Sequence, residues 1–123
     1  MNNAPEANIQ NQVRLEASRQ GWYLWRNNVG AGKLENGSFV RFGLANDSKA
    51  VNDHIKSGDL IGIKPVLITQ AMVGTVIGQF VSRECKRKGW KFSANNARDV
   101  AQARWADLIL ILGGDASITT GEL

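Results

Sequence analysis

Between Asp59 and Lys86 the chain runs through short apolar stretches separated by interruptions too brief to hold a helix, and this constrains the fold more than any other feature. Asp59 to Ile63 and Val66 to Gln70 flank a Lys64-Pro65 turn, and a break near Gly74 precedes Thr75 to Lys86. Parallel neighbours need a crossover of about a dozen residues or more, usually helical. The segment therefore predicts a compact meander of strands that brings Asp59 beside Glu84. With helices before and after it, the order of elements predicts a mixed α/β architecture rather than a doubly wound parallel sheet.

The flanking pattern fills in the rest. Ile9, Val13 and Ala17 recur at helical spacing, so a helix is expected over about residues 7–20, closed by Gly21. Trp22 to Asn28 reads as a strand rich in aromatics, Gly30 to Gly37 as a loop, and Ser38 to Gly43 as the next strand. Asn46 to Ser57 is expected to hold a short helix with Ala50, Val51 and Ile55 facing inward. A last helix is expected from about Asn96 to Leu112, with Ala101, Trp105, Leu108 and Leu112 as its apolar stripe and Gly113-Gly114 as its stop. Ala116 to Thr119 then adds a strand at the sheet edge. Residues 1–6, polar and carrying Pro5, predict a flexible lead, which leaves residues 7–123 as one domain.

Charge and composition narrow the function classes. Fifteen Lys and Arg against eleven Asp and Glu give a net charge of +4, which suits a polyanionic partner. Arg83, Lys86, Arg87, Lys88 and Lys91 cluster in sequence; Arg87, Lys88 and Lys91 form either a phosphate-attracting rim or a solvated basic loop. The single cysteine, Cys85, excludes an internal disulfide and a Cys-based zinc cluster, and suits a reducing compartment. No apolar run approaches the about 18 residues needed to cross a membrane, and the first residues lack the features of a signal peptide, so a cytoplasmic protein is expected. His54 is the only histidine and no Gly-x-Ser-x-Gly accompanies it, which disfavours a Ser-His-Asp hydrolase. Gly30-Ala31-Gly32-Lys33 is not a phosphate loop, because Asn27 and Leu34 stand where that motif requires glycine and Ser or Thr. It is a flexible turn in which Lys33 is a candidate for contact with a substrate backbone.

One constellation carries chemistry. Glu84 and Lys86, two apart on a strand, point to one face. They form either a shared reaction centre or a solvated salt bridge. Asp59 places a second carboxylate at a strand edge, and Glu16 lies beside the apolar stripe of the first helix, either leaning into a site or keeping its head in water. Converging carboxylates beside a lysine are what a divalent metal and a water nucleophile need, since hard oxygen ligands hold Mg2+ while a cation orients the attacking water. Gln102 sits at the margin of the last helix's stripe, where its amide either reaches the lysine or faces solvent. Arg26 and Arg41 are candidates for phosphate contacts or for salt bridges within the domain. Trp22, Trp90 and Trp105 read as packing residues before base-stacking ones.

Glu16 on its helix, then Trp25-Arg26-Asn27-Asn28-Val29-Gly30, Val40-Arg41-Phe42-Gly43, Asp59-Leu60-Ile61-Gly62, Leu67-Ile68-Thr69, Met72-Val73-Gly74, Glu84-Cys85-Lys86, Gln102 to Trp105 and Gly113-Gly114 follow one another in an order and spacing that resembles the VRR-NUC nucleases of the PD-(D/E)XK superfamily, particularly the small stand-alone phage members. The resemblance covers nearly the whole chain. It implies a restriction-endonuclease-like mixed sheet flanked by helices, with Mg2+ or Mn2+ held by Glu16, Asp59, Glu84 and the backbone carbonyl of Cys85. By the same resemblance Lys86 positions the water, Gln102 packs near that lysine, and Arg26 and Arg41 lie near the substrate side, with Lys33, Arg87 and Lys88 as further candidates for nucleic-acid contact from the turn and the basic cluster. Two departures stand out: an aliphatic residue usually occupies the position of Cys85, and Gly89 to Ala101 is longer and more polar than in the shortest members. The implied activity is hydrolysis of DNA phosphodiester bonds, selected by shape (branched DNA, single-stranded regions, four-way junctions) and carried out by a homodimer. The alternatives are a non-catalytic DNA-binding accessory protein of the same fold and an interaction module with merely solvated charges.

Overall fold

The computed structural model describes residues 5–123. Of the expected flexible lead, residues 1–4 lie outside the described residues, and Glu6 already opens the first helix. The elements in chain order are α1 (Glu6–Arg19), β1 (Tyr23–Arg26), β2 (Gly30–Lys33), β3 (Phe39–Phe42), α2 (Lys49–His54), β4 (Leu60–Ile63), a 3-10 turn (Gln70–Met72), β5 (Val81–Cys85), α3 (Ala97–Ile111) and β6 (Asp115–Thr119). The protein is thus mixed α/β, with three helices and small sheets. The strands pair as three two-stranded ladders in place of the single mixed sheet expected. The chain forms two compact units that part at Lys64-Pro65. No described helix is long and apolar enough to cross a membrane.

In the first unit, α1 ends in a Schellman motif: Gly21, at φ +79°, lets its own N–H reach the Ser18 carbonyl at 3.1 Å and the Trp22 N–H reach that of Ala17 at 2.8 Å. The stripe read from sequence is buried only at Ala17, while Ile9 and Val13 stay half exposed. β1 and β4 pair antiparallel with Leu24 opposite Gly62, where a Cβ would overlap the Tyr23 carbonyl. Gly30–Lys33, expected as loop, is a strand. Its antiparallel pairing with β3, Gly30 opposite Phe42 and Lys33 opposite Phe39, supplies the backbone hydrogen bonds that outweigh glycine's poor strand propensity. Asn46, only 3 % exposed, fastens the ends of that hairpin by donating from Nδ2 to the carbonyls of Gly30 (2.7 Å) and Phe42 (2.9 Å). α2 is capped by Ser48, whose hydroxyl accepts the Val51 N–H at 3.2 Å. Ala50, Val51 and Ile55 do not face inward as expected, for a helix of six residues has too few turns to present an apolar stripe, and its half-buried position is Asn52.

The second unit departs from the expected meander. Val66 to Gln70 and Thr75 to Phe80 form no strand, and Val66, Leu67, Ile68, Val73, Val76 and Ile77 are exposed. A β-prone run becomes a strand only where a neighbour completes its ladder, and β5 pairs instead with β6 from the end of the chain. That pairing is parallel, Val81 opposite Asp115 and Cys85 opposite Thr119, so β5, α3 and β6 make a βαβ unit with α3 as the crossover. α3 starts at Asn96, whose side chain accepts the Asp99 N–H at 3.0 Å, and ends in a second Schellman motif through Gly113-Gly114. Gly113 takes φ +92°, and at Gly114 a Cβ would meet the Ile109 side chain at 2.6 Å. The inward face of α3 carries Asp99, Gln102, Ala103, Ala106 and the fully buried Ile109. Of the expected stripe, Leu108 and Leu112 are half-buried, whereas Ala101 and Trp105 are exposed.

Candidate active site

Strand alternation sends Ser82, Glu84 and Lys86 to one face of β5, and α3 meets each of them in turn. Ser82 Oγ accepts the Trp105 Nε1–H at 2.9 Å, Glu84 Oε1 accepts the Gln102 amide at 2.8 Å, and Lys86 Nζ lies 4.0 Å from Asp99 Oδ1. Steps of two along the strand thus match steps of three along the helix, from Trp105 back to Gln102 and Asp99, which is the spacing that keeps helical side chains on one face. Lys86 extends the strand through its N–H to the Thr119 carbonyl at 2.8 Å.

The lysine is closely confined. Its ammonium lies 3.9 Å from Glu84 Oε1 and 5.5 Å from the centroid of the Trp90 ring, and its side chain is only 16 % exposed. Both carboxylates are beyond hydrogen-bonding distance, so they attract the ammonium without occupying its N–H groups. Asp99 is 5 % exposed and is itself held, Oδ2 accepting the Ser93 N–H at 3.1 Å. The Gln102 amide is oriented by Glu84, because the reverse orientation would set oxygen against carboxylate. Its Oε1 is buried and has no hydrogen-bond partner among the described residues. An orphaned buried acceptor is unusual and costs stability.

Asp99 belongs to this centre and had no expected role, and Trp90, expected as a packing residue, lies against the lysine. The signals were present: Asn96-Ala97-Arg98-Asp99 is an N-cap followed by an acid in the first turn, and Asp99 and Gln102 are three apart. Cys85 points away from Glu84 and Lys86 and its thiol is exposed; only its backbone carbonyl is a possible donor here. Arg87 and Lys88 are exposed beyond the strand end. Arg83, counted in the basic cluster, is committed elsewhere: its guanidinium donates to Asp115 Oδ2 at 3.0 Å and to the carbonyls of Asp115 and Leu123 at 3.2 and 2.6 Å. That hydrogen bond and the nearby charge hold the Asp115 carboxyl below the usual aspartate range and raise Arg83.

The remaining predicted residues belong to the first unit. Glu16 Oε1 accepts the Gln20 amide at 3.0 Å, and Oε2 pairs with Arg19 at 3.5 Å on an exposed helix surface. It also lines an apolar cavity of about 210 Å3 with Val13, Ala17, Trp22 and Leu24. Asp59 is exposed one residue before β4, and its carbonyl accepts the Asn27 N–H at 2.9 Å. Asn27 fixes that turn further by donating to Ser57 Oγ at 2.7 Å and the Gly58 carbonyl at 2.9 Å. Arg26 is exposed at the end of β1. Arg41 donates to Asn46 Oδ1 at 3.2 Å and lies over the Phe39 ring, and Lys33 sits opposite Phe39 in the ladder. Taken separately, neither unit gathers three or more His, Cys, Asp or Glu side chains into a metal-binding group among the described residues. No family model, curated protein or solved structure matches the chain.

Proposed function

We propose that the chain is a metal-dependent nuclease of restriction-endonuclease-like fold that hydrolyses DNA phosphodiester bonds, with its reaction centre where Glu84, Lys86 and Gln102 meet. The observation that carries this reading is the confined lysine: an ammonium held in place by two carboxylates and an indole, with its N–H groups uncommitted to either acid. Such a group can donate to a water or a phosphate oxygen at a fixed point.

The donor set suits a hard divalent cation. Glu84 commits Oε1 to Gln102 and leaves Oε2 available, the adjacent Cys85 carbonyl is a second oxygen donor, and the orphaned Gln102 oxygen is a further acceptor for a bound water. Bound Mg2+ or Mn2+ would polarise the scissile phosphate and offset charge on the leaving oxygen. Lys86 orients the attacking water, Asp99 holds Lys86, and Gln102 fixes the rotamer of Glu84. Glu16 and Asp59 enter this reading as additional ligands on the strength of the resemblance. Contact with backbone phosphates makes shape, and not base sequence, the basis of selection, with branched DNA, single-stranded regions and four-way junctions as substrates. Symmetric cutting of a junction by a chain with one centre calls for a homodimer.

The test is incubation of labelled single strands, duplex, flaps and four-way junctions with Mg2+, Mn2+ or EDTA, beside Lys86→Ala. Cutting that needs metal and is lost in the variant supports the nuclease. Binding without cutting at any metal concentration, by protein whose circular dichroism is native, replaces it with the accessory-protein reading.

A further inference from the structure

The β2–β3 hairpin carries a feature that the proposed reaction centre does not use. Residues opposite one another in an antiparallel ladder share a face, so Ala31, Lys33, Phe39 and Arg41 lie on one side of the hairpin, and Gly30, Gly32, Val40 and Phe42 on the other. The two faces differ in kind. On the second, the Phe42 ring lies across Gly30, where the missing Cβ leaves room for it. On the first, Phe39 is 58 % exposed, with Lys33 directly opposite it and the Arg41 guanidinium 5.4 Å from the ring centroid. None of the eight paired residues is a carboxylate.

The arrangement is also built to hold its shape. Arg41 uses one N–H on Asn46 Oδ1, and the buried Asn46 in turn ties the carbonyls of Gly30 and Phe42, so the cation's position is set by the hairpin's own anchor. Its remaining donors are uncommitted among the described residues, as is the Lys33 ammonium. An exposed ring on a strand flanked by two cations, with a small alanine beside it, matches what a single nucleic-acid strand requires: a surface for one base to stack on, and positive charge for the phosphates to either side.

We propose that this face is a docking platform for single-stranded nucleic acid, with one base stacked on Phe39 and flanking phosphates met by Lys33 and Arg41. The proposal rests on nucleic acid being the substrate, and it narrows the substrate to forms that contain an unpaired stretch.

The experiment is fluorescence anisotropy of a fluorescein-labelled oligo-dT with the full chain in EDTA, where no cleavage intervenes, over a series of salt concentrations. Phe39→Ala is expected to weaken binding about 5- to 150-fold, the range for losing one stacked base, while Phe39→Trp restores it. Lys33→Ala is expected to make the slope of log affinity against log salt shallower by about 0.7, the effect of one phosphate contact on a single strand. Gln12→Ala, on the exposed surface of α1, should leave both quantities unchanged. If Phe39→Ala and Lys33→Ala, each with native circular dichroism, bind as the unaltered protein does, the platform is wrong. The same holds if the unaltered protein does not bind oligo-dT. Cleavage measured alongside separates the two ideas: binding that depends on Phe39 without any metal-dependent cutting keeps the platform and removes the nuclease, whereas cutting with unaltered affinity in Phe39→Ala does the reverse.

Discussion

Glu16 in the first unit and Glu84 in the second each accept a hydrogen bond from a glutamine amide, at 3.0 and 2.8 Å, yet the two pairs differ in almost every other respect. Gln20 is one helical turn from Glu16 on an exposed surface, so either side chain can exchange its partner for water. Gln102 reaches Glu84 across eighteen positions of sequence, from helix to strand, and its other amide atom is buried without a partner. The first pair is a local accommodation between neighbours. The second needs tertiary structure to exist, and it keeps an unsatisfied atom that a structural pair has no reason to keep. The proposed ligand roles of the two glutamates are therefore unequally supported by their surroundings.

The sharpest way to break this contrast is at Asp99. Asp99→Ala leaves Lys86 with one carboxylate and the Ser93 N–H without its acceptor, and should cost about 3 kcal/mol in urea unfolding. Asp53→Ala, which breaks the exposed Lys49–Asp53 pair at 2.7 Å in the first unit, should cost no more than about 0.5 kcal/mol. Equal costs would mean that the Lys86 centre is as solvated as a helix surface.

Gln102→Leu makes a finer distinction. The substitution loses a hydrogen bond to a carboxylate worth about 1.5–3 kcal/mol, but it also removes the orphaned oxygen, whose burial costs about 1–3 kcal/mol. Stability should therefore change by about 1 kcal/mol or less in thermal melts, while cleavage falls by about tenfold or more because Glu84 is no longer held. A large loss of stability with cleavage preserved would make Gln102 a structural residue.

Acid titration probes the other side of β5. Asp115 is held below the usual aspartate range by Arg83, so its contribution is complete above the unfolded value of about 3.9 and is lost as pH falls through the lowered folded value. Asp115→Asn should reduce the dependence of stability on pH in that acid window and leave it unaltered near neutrality. The smallest effect belongs to Glu16: Glu16→Gln should alter stability by less than about 0.5 kcal/mol, since its partners are exposed.

The same contrast explains what the sequence made legible. Signals confined to a few neighbouring residues survived folding well. Gly21 and Gly113-Gly114 end their helices. The i, i+2 spacing of Glu84 and Lys86 does place both on one face of a strand. What depended on a distant partner was hidden. Gly30–Lys33 gave no strand signal because its pairing with Phe39–Phe42 supplies the order, and Val66 to Gln70 looked like a strand while having none beside it. On α3 the expected Leu108 and Leu112 are half-buried, but Ala101 and Trp105 are not, and the fully buried position is Ile109. Asp99 carries a local signal as an acid in the first turn of α3, but its contact with a lysine thirteen positions earlier depends on tertiary structure.

The most direct test of the central claim is cleavage of a labelled four-way junction and of a single strand by the unaltered chain and by Lys86→Ala, each with Mg2+, Mn2+ or EDTA. The account predicts cutting that requires the metal and falls by about 100- to 10,000-fold in the variant while its circular dichroism stays native. Metal-dependent cutting at an undiminished rate in Lys86→Ala, or no cutting of any substrate by the folded unaltered chain, would contradict it.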